Sequence, residues 1–229
     1  MKFTSTLIKG KLIKRYKRFF VDIKVNNQII TAHCPNTGSM MGLLDEGNEV
    51  MFSKNDDPNR KLKYTLEVIK VNKKLVGVNT HRANRIAEHG LKNKLFNENK
   101  KIKLIKPEFK FSKDTRFDFL CDKKTIIEVK NVTLNRFNKI AEFPDSVTSR
   151  GTKHLIKLVD SIKKKYEPYV LFLTQIQGIE YFKIAKDIDY NYYENYLLAK
   201  KAGVNFLAYR CSLSSKEIKI EKKIKIIDD

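Results

Sequence analysis

Arg116-Phe117-Asp118-Phe119-Leu120-Cys121-Asp122-Lys123-Lys124-Thr125-Ile126-Ile127-Glu128-Val129-Lys130 reads as a β-hairpin: two strand-like runs, 115–121 and 125–130, flank a polar turn centred on Lys123. Antiparallel pairing about that centre sets Asp118 opposite Glu128. Directly opposed residues share a face, with Cβ atoms roughly 4.5–5.5 Å apart. Lys130, two residues on, shares that face, and Val129 points to the other. Two carboxylates opposed across a ladder destabilise it, and a hard divalent cation, Mg²⁺ or Mn²⁺, relieves the repulsion while also taking waters and phosphate oxygens. The expectation is therefore a metal site on Asp118 and Glu128, with the Val129 carbonyl as a third ligand and Lys130 placed to act on a phosphodiester. The alternative is a surface hairpin whose acids are satisfied by Arg116 and Lys130. The tripeptide by itself decides nothing: six further acid-x-Lys tripeptides begin at Asp22, Glu98, Glu108, Asp122, Glu217 and Glu221, and only the hairpin singles out Glu128.

Working outward from the hairpin, Leu155, Leu158, Val159, Ile162 and Tyr166 recur at helical spacing and predict a helix starting near Ser149. The apolar run 169–174 predicts a buried strand, 191–202 a helix ended by Gly203, and 204–209 another buried strand. The alternating lysines and isoleucines of 216–225 predict an edge strand. On the N-terminal side, 105–111 is strand-like, and Ile86, Ala87, Leu91 and Leu95 make a helical stripe beginning near Asn84. Residues 83–229 thus have an α/β layout. Residues 1–82 read instead as short strands with turns at Asn26-Asn27 and Asn72-Lys73-Lys74 and a phase slip at Ile69, which suggests a small OB-like β-barrel. The loop Cys34-Pro35-Asn36-Thr37-Gly38-Ser39 is either a phosphate-gripping loop, through Asn36, Thr37 and Ser39, or a tight barrel turn.

The chain carries 47 Lys and Arg against 26 Asp and Glu, a formal charge of +21. The excess is spread, with 16 basic and 7 acidic residues in 1–83 (+9) and 31 and 19 in 84–229 (+12). Such a surface attracts polyphosphate, so DNA, or RNA, is the expected partner, although richness in Lys, Asn and Ile also follows from an AT-rich genome. Arg150, Lys153 and His154, on the helix after the hairpin, are candidate phosphate contacts, with a solvated helix face or a capping histidine as the alternatives. No run reaches a membrane span, no long basic amphipathic helix offers itself to a membrane surface, and Met1-Lys2-Phe3-Thr4-Ser5 opens no apolar leader. Three scattered cysteines form no CxxC pair; free buried thiols in the cytoplasm are the expectation. Oligomeric state is left open.

At these residues the chain resembles the PD-(D/E)XK nuclease superfamily and, more closely, the sugar fermentation stimulation protein family (SfsA). The resemblance is carried by His33-Cys34-Pro35-Asn36-Thr37-Gly38-Ser39-Met40, Lys61-Leu62-Lys63-Tyr64-Thr65-Leu66-Glu67, Val76-Gly77-Val78-Asn79-Thr80, Arg116-Phe117-Asp118-Phe119-Leu120, Glu128-Val129-Lys130-Asn131-Val132-Thr133-Leu134, and Phe143-Pro144-Asp145-Ser146-Val147-Thr148 with Arg150-Gly151-Thr152-Lys153-His154-Leu155. It implies an N-terminal OB-like barrel joined to a PD-(D/E)XK nuclease-like α/β domain, and DNA binding with little sequence preference. It implies Asp118 and Glu128 as metal carboxylates, Lys130 as the catalytic lysine, and Glu88 as a helical acid joining the metal. Phe117 stands where the superfamily name has Pro, and Thr152 where the family run has Gln. Two functions follow from the resemblance: a metal-dependent nuclease, or a non-catalytic DNA-binding regulator of sugar (maltose) metabolism that retains the fold.

Overall fold

The computed structural model describes residues 1–93 and 102–228. Six strands come first: β1 (Ile8–Tyr16), β2 (Phe20–Val25), β3 (Gln28–His33), β4 (Glu49–Lys54), β5 (Tyr64–Val71) and β6 (Lys74–Gly77). Antiparallel pairing runs β3-β2-β1-β4-β5, and a parallel contact of His33 with Thr65 closes these five strands into a barrel. Alternation does the inside–outside sorting: Val21 and Ile23 are fully buried while Asp22 and Lys24, which alternate with them, are not. Asn26, Asn72 and Lys73 take positive φ, so both two-residue turns match the right-handed strand twist. The phase slip falls at Glu67 rather than Ile69, because β5 bulges where Met51 pairs Val68 and Phe52 pairs Leu66.

The second unit comprises α1 (His81–Lys92), β7 (Ile105–Lys110), β8 (Arg116–Cys121), β9 (Thr125–Val132), β10 (Leu134–Phe137), β11 (Ile140–Phe143), α2 (Ser149–Lys163), β12 (Glu167–Thr174), β13 (Tyr181–Ile184), α3 (Tyr190–Ala202), β14 (Asn205–Leu213) and β15 (Ile218–Ile226). Its nine strands form one mixed sheet, β10-β11-β13-β15-β14-β12-β9-β8-β7. Ala83, Ile86, Ala87 and Leu91 of α1 pack on one face, over Phe119, Ile127, Val129 and Leu171. Leu155 and Leu158 of α2, with Tyr192 and Tyr196 of α3, cover the other, over Ile126, Val170 and Phe172. Thr148 caps α2 by accepting the Gly151 N–H, Asp189 caps α3 by accepting the Tyr192 N–H, and Gly203 ends α3 in the left-handed conformation.

The strand expected at 216–225 is not an edge: β15 lies inside the sheet between β14 and β13. It forms a hairpin with β14 and takes β13 on its other edge, and alternation shows which residues a strand buries but not whether its second edge is taken. The strands β10, β11 and β13, of four residues each, are too short to show alternation. Leu95 and Glu98 lie outside the described residues. The first residues of the chain belong with the second sheet: Met1 exchanges backbone hydrogen bonds with Ile218, and Lys2 bridges to Glu217. The two sheets stay separate, touching through a Val76–Ile176 bridge and the Gly77 N–H donated to the Gln175 carbonyl at 2.8 Å. The three cysteines are free and buried. Among the described residues no helix is long and apolar enough to cross a membrane.

Candidate metal centre and nucleic-acid interface

The hairpin keeps its expected register, with Cys121 paired to Thr125, Leu120 to Ile126 and Phe119 to Ile127. The ladder then stops one rung short of Asp118 and Glu128. Phe117 packs in the cluster under α2 but Phe119 in the cluster under α1, so side-chain alternation slips at Asp118. The slip coincides with Glu108, which takes φ +52° on the neighbouring strand between the Phe109–Phe117 and Pro107–Phe119 pairs. The Asp118 carboxylate consequently reaches across to β9, where it accepts the Val129 N–H at 2.7 Å, and it accepts the Asn84 amide of α1 at 2.7 Å. The expected face-to-face pair is thus corrected. Like charges on one rung repel, and the chain relieves this by turning Asp118 onto backbone and α1 while Glu128 is held from α2.

Glu128 is buried, and its Oε1 accepts both the Lys130 Nζ at 2.7 Å and His154 Nδ1 at 2.5 Å. Burial pushes this carboxyl up, but Lys130 and His154 together outweigh that and hold it below the usual range. Its other oxygen, Oε2, is buried with no partner among the described residues. Asp118 goes the other way: burial first, then the Glu128 charge, raise it to about 6. One acid is held ionised by Lys130 and His154, and beside it lies a second acid that ionises reluctantly. Such a pair favours an added positive charge.

Glu88 does not complete a cluster with these acids. It pairs with Lys92 at 2.6 Å, and Asn84, one turn earlier, takes the contact with Asp118. Among the described residues no group of three or more His, Cys, Asp or Glu side chains is arranged to hold a metal. A divalent ion here would therefore rest on two carboxylates plus backbone and water. His154 is buried against Glu128, so its contact is to the site itself. Asn131 accepts an amide hydrogen from the buried Gln175. Asn84, Gln175 and the role of His154 as the Glu128 partner escaped sequence reasoning, because each depends on which helix or loop lands on the sheet.

Beside the acids opens a cleft of about 430 Å³, walled by the barrel through Arg18, Asn36 and Thr37 and by the second unit through Asn84, Val129 and Lys130. The loop after β3 makes that wall. Asn36 is buried and its side chain accepts the Gly38 N–H; Arg15 ties the Asn36 and Gly38 carbonyls; the Ser39 hydroxyl donates to the Asp145 carbonyl at 2.6 Å. A Cβ on Gly38 would collide with the Asp145 carboxylate, so only glycine allows this approach. Asn36 and Ser39 are thereby committed to placing the loop, and Thr37 is the exposed side chain it offers to the cleft. Arg150 and Lys153 lie elsewhere, on the first two turns of α2, with Lys153 paired to Asp114.

A closed five-stranded OB barrel, joined across such a cleft to a mixed α/β domain, defines the class of protein. The chain belongs to the sugar fermentation stimulation protein (SfsA) family. The model described as "SfsA N-terminal OB domain" matches residues 13–78, and that described as "Sugar fermentation stimulation protein RE domain" matches 81–217. The chain is 68% identical to the sugar fermentation stimulation protein homolog of Pelagibacter ubique over all of both chains. It is 38% identical to that of Brucella anthropi, over 99% of this chain and 100% of the relative. The fold is that of the solved structure of Pyrococcus furiosus SfsA in complex with Ca²⁺, with a TM-score of 0.89 at 22% identity, covering 100% of this chain and 98% of that one.

Proposed function

We propose that the chain binds DNA with little sequence preference and hydrolyses phosphodiester bonds as a PD-(D/E)XK-type nuclease, using Mg²⁺ or Mn²⁺ held by Asp118, Glu128 and the Val129 carbonyl. The observation that carries this is the orphaned Oε2 of Glu128, a buried carboxylate oxygen without a donor among the described residues, beside an acid that burial makes reluctant to ionise. Buried polar atoms are almost always satisfied, so a missing partner there calls for an ion or water. The relative from Pyrococcus furiosus is described with Ca²⁺, another oxygen-seeking cation. When bound, the ion would supply charge neutralisation for the phosphate and acidify a water.

The chain's own residues do the rest. His154 and Lys130 keep Glu128 ionised and fixed in orientation. Asn84 and the Val129 N–H hold Asp118 against the β9 backbone. Lys130 lines the cleft, where its charge opposes the negative charge that builds on a phosphate under attack. Thr37 and Arg18 present the barrel side of the same cleft to the strand. A regulator that only binds DNA needs no such acid pair.

Binding is tested by fluorescence anisotropy on two unrelated duplexes across a salt series. The +21 charge predicts micromolar or tighter affinity at low salt for both duplexes, falling linearly in log–log form. Affinity that ignores salt would contradict the reading. Cleavage is tested on a panel of DNA and RNA forms with Mg²⁺ or Mn²⁺, with Glu128→Ala as the inactive control.

A further inference from the structure

A second cavity, of about 630 Å³, lies between the turn joining β7 to β8 and the first two turns of α2. Lys110, Lys113, Arg116, Arg150 and Lys153 line it, against the single acid Asp114. Lys153 is spent on Asp114, and Arg116 stands 3.8 Å from Glu108. Lys110, Lys113 and Arg150 have no carboxylate partner among the described residues. Positive charge is therefore gathered in a walled pocket and left largely unneutralised.

His154 supplies an independent pointer. It lines this cavity yet is only 7% exposed. Its Nδ1 is committed to Glu128, which leaves Nε2, without a protein partner among the described residues, as the atom it has to offer the cavity. The ring meets Glu128 through Nδ1 and also lines the pocket. The pocket and the acid pair are thus in contact through one side chain.

The kind of anion follows from charge and shape. An internal phosphodiester carries one negative charge and must enter and leave on a continuous strand. A phosphomonoester carries nearly two at neutral pH and is tethered on one side only. Lys110, Lys113 and Arg150, without carboxylate partners among the described residues, gathered in an open pocket between a turn and a helix, suit the monoester. We propose that this pocket holds the terminal phosphate of a nucleic-acid strand, so that the neighbouring acid pair acts close to a strand end. This rests on the DNA-binding reading above and adds the substrate class, strand ends bearing a phosphate.

The test is a binding measurement in metal-free buffer, so that it does not depend on cleavage. Single strands and blunt duplexes of one sequence carry a 5′-phosphate, a 3′-phosphate or hydroxyls at both ends. Wild type should bind one of the phosphorylated ends about tenfold or more tighter than the hydroxyl form, as expected for charge-assisted hydrogen bonds to an extra anionic group. Arg150→Ala and Arg116→Ala should bring that ratio toward one. Lys223→Ala, exposed on β15, should leave the ratio unchanged. Equal affinity of wild type for all three ends would overturn the proposal while leaving DNA binding intact. A preference that survives the Arg116→Ala/Arg150→Ala double variant would overturn the pocket assignment. Failure to bind any form would overturn the DNA-binding reading along with it.

Discussion

Lys130→Ala is expected to slow phosphodiester cleavage by on the order of 10²- to 10³-fold while leaving divalent-ion affinity unchanged or slightly tighter. The two effects separate because Lys130 is a cation beside the site and not a ligand: its Nζ sits on Glu128 Oε1, and Oε2 meets no donor among the described residues. Removing it strips one positive charge from the neighbourhood of two carboxylates, which favours an incoming ion. His154 remains on Glu128 and preserves its orientation. What is lost is charge that opposes the negative charge building on the phosphate. Single-turnover cleavage and Mn²⁺ titration on the same variant make the comparison. Wild-type rates, or loss of ion binding together with activity, would show that the lysine has another role.

Arg82→Ala should destabilise the protein by about 3–5 kcal/mol, a lowering of the melting midpoint by roughly 6–20 °C for a chain of this size. Glu67 is 1% exposed on the barrel strand β5, and Arg82 grips both its oxygens, at 2.6 and 3.0 Å, from the first turn of α1. Asn79 and Ser53 complete its shell. Without Arg82 a carboxylate stays buried with neutral donors alone, and that uncompensated charge dominates the cost. The same side chain lies 5.4 Å over the Phe3 ring, so its loss also loosens the N-terminal segment bonded to the second sheet. The ion pair spans barrel and helix, so calorimetric unfolding of the variant should broaden or split as the units uncouple. The double variant Glu67→Gln/Arg82→Met should recover part of the loss. A change below about 1 kcal/mol in Arg82→Ala would mean that the junction is held elsewhere.

The sequence made the acids and the lysine legible because a hairpin's register follows from its turn, and the turn at Asp122 and Lys123 is where the residue pattern puts it. The last rung was not legible. Whether Asp118 pairs with Glu128 or folds back onto Val129 depends on a third strand, where Glu108 departs from extended geometry, and on α1 bringing Asn84 within reach. Glu88 and Asn84 sit one turn apart on the same helix, and only packing decides which meets Asp118. His154 shows the same limit: its place at the edge of an apolar stripe is readable, but its partner Glu128, 26 residues away, is not. The barrel fared better than the large sheet because its neighbouring strands are mostly also neighbours in sequence, whereas in the large sheet β12 sits between β9 and β14, and β15 takes β13 as well as β14.

Isothermal titration of Mn²⁺ into wild type and Asp118→Asn decides whether Asp118 and Glu128 together hold a divalent ion. The substitution keeps the side chain's size and a carbonyl oxygen for the Val129 N–H but removes the charge, so the fold should persist. Wild type should bind a single Mn²⁺ per chain, and Asp118→Asn should bind it at least about tenfold more weakly, the loss of one anionic ligand. Equal affinity in the two proteins, or no binding to wild type, would make the acids a structural pair and contradict the account.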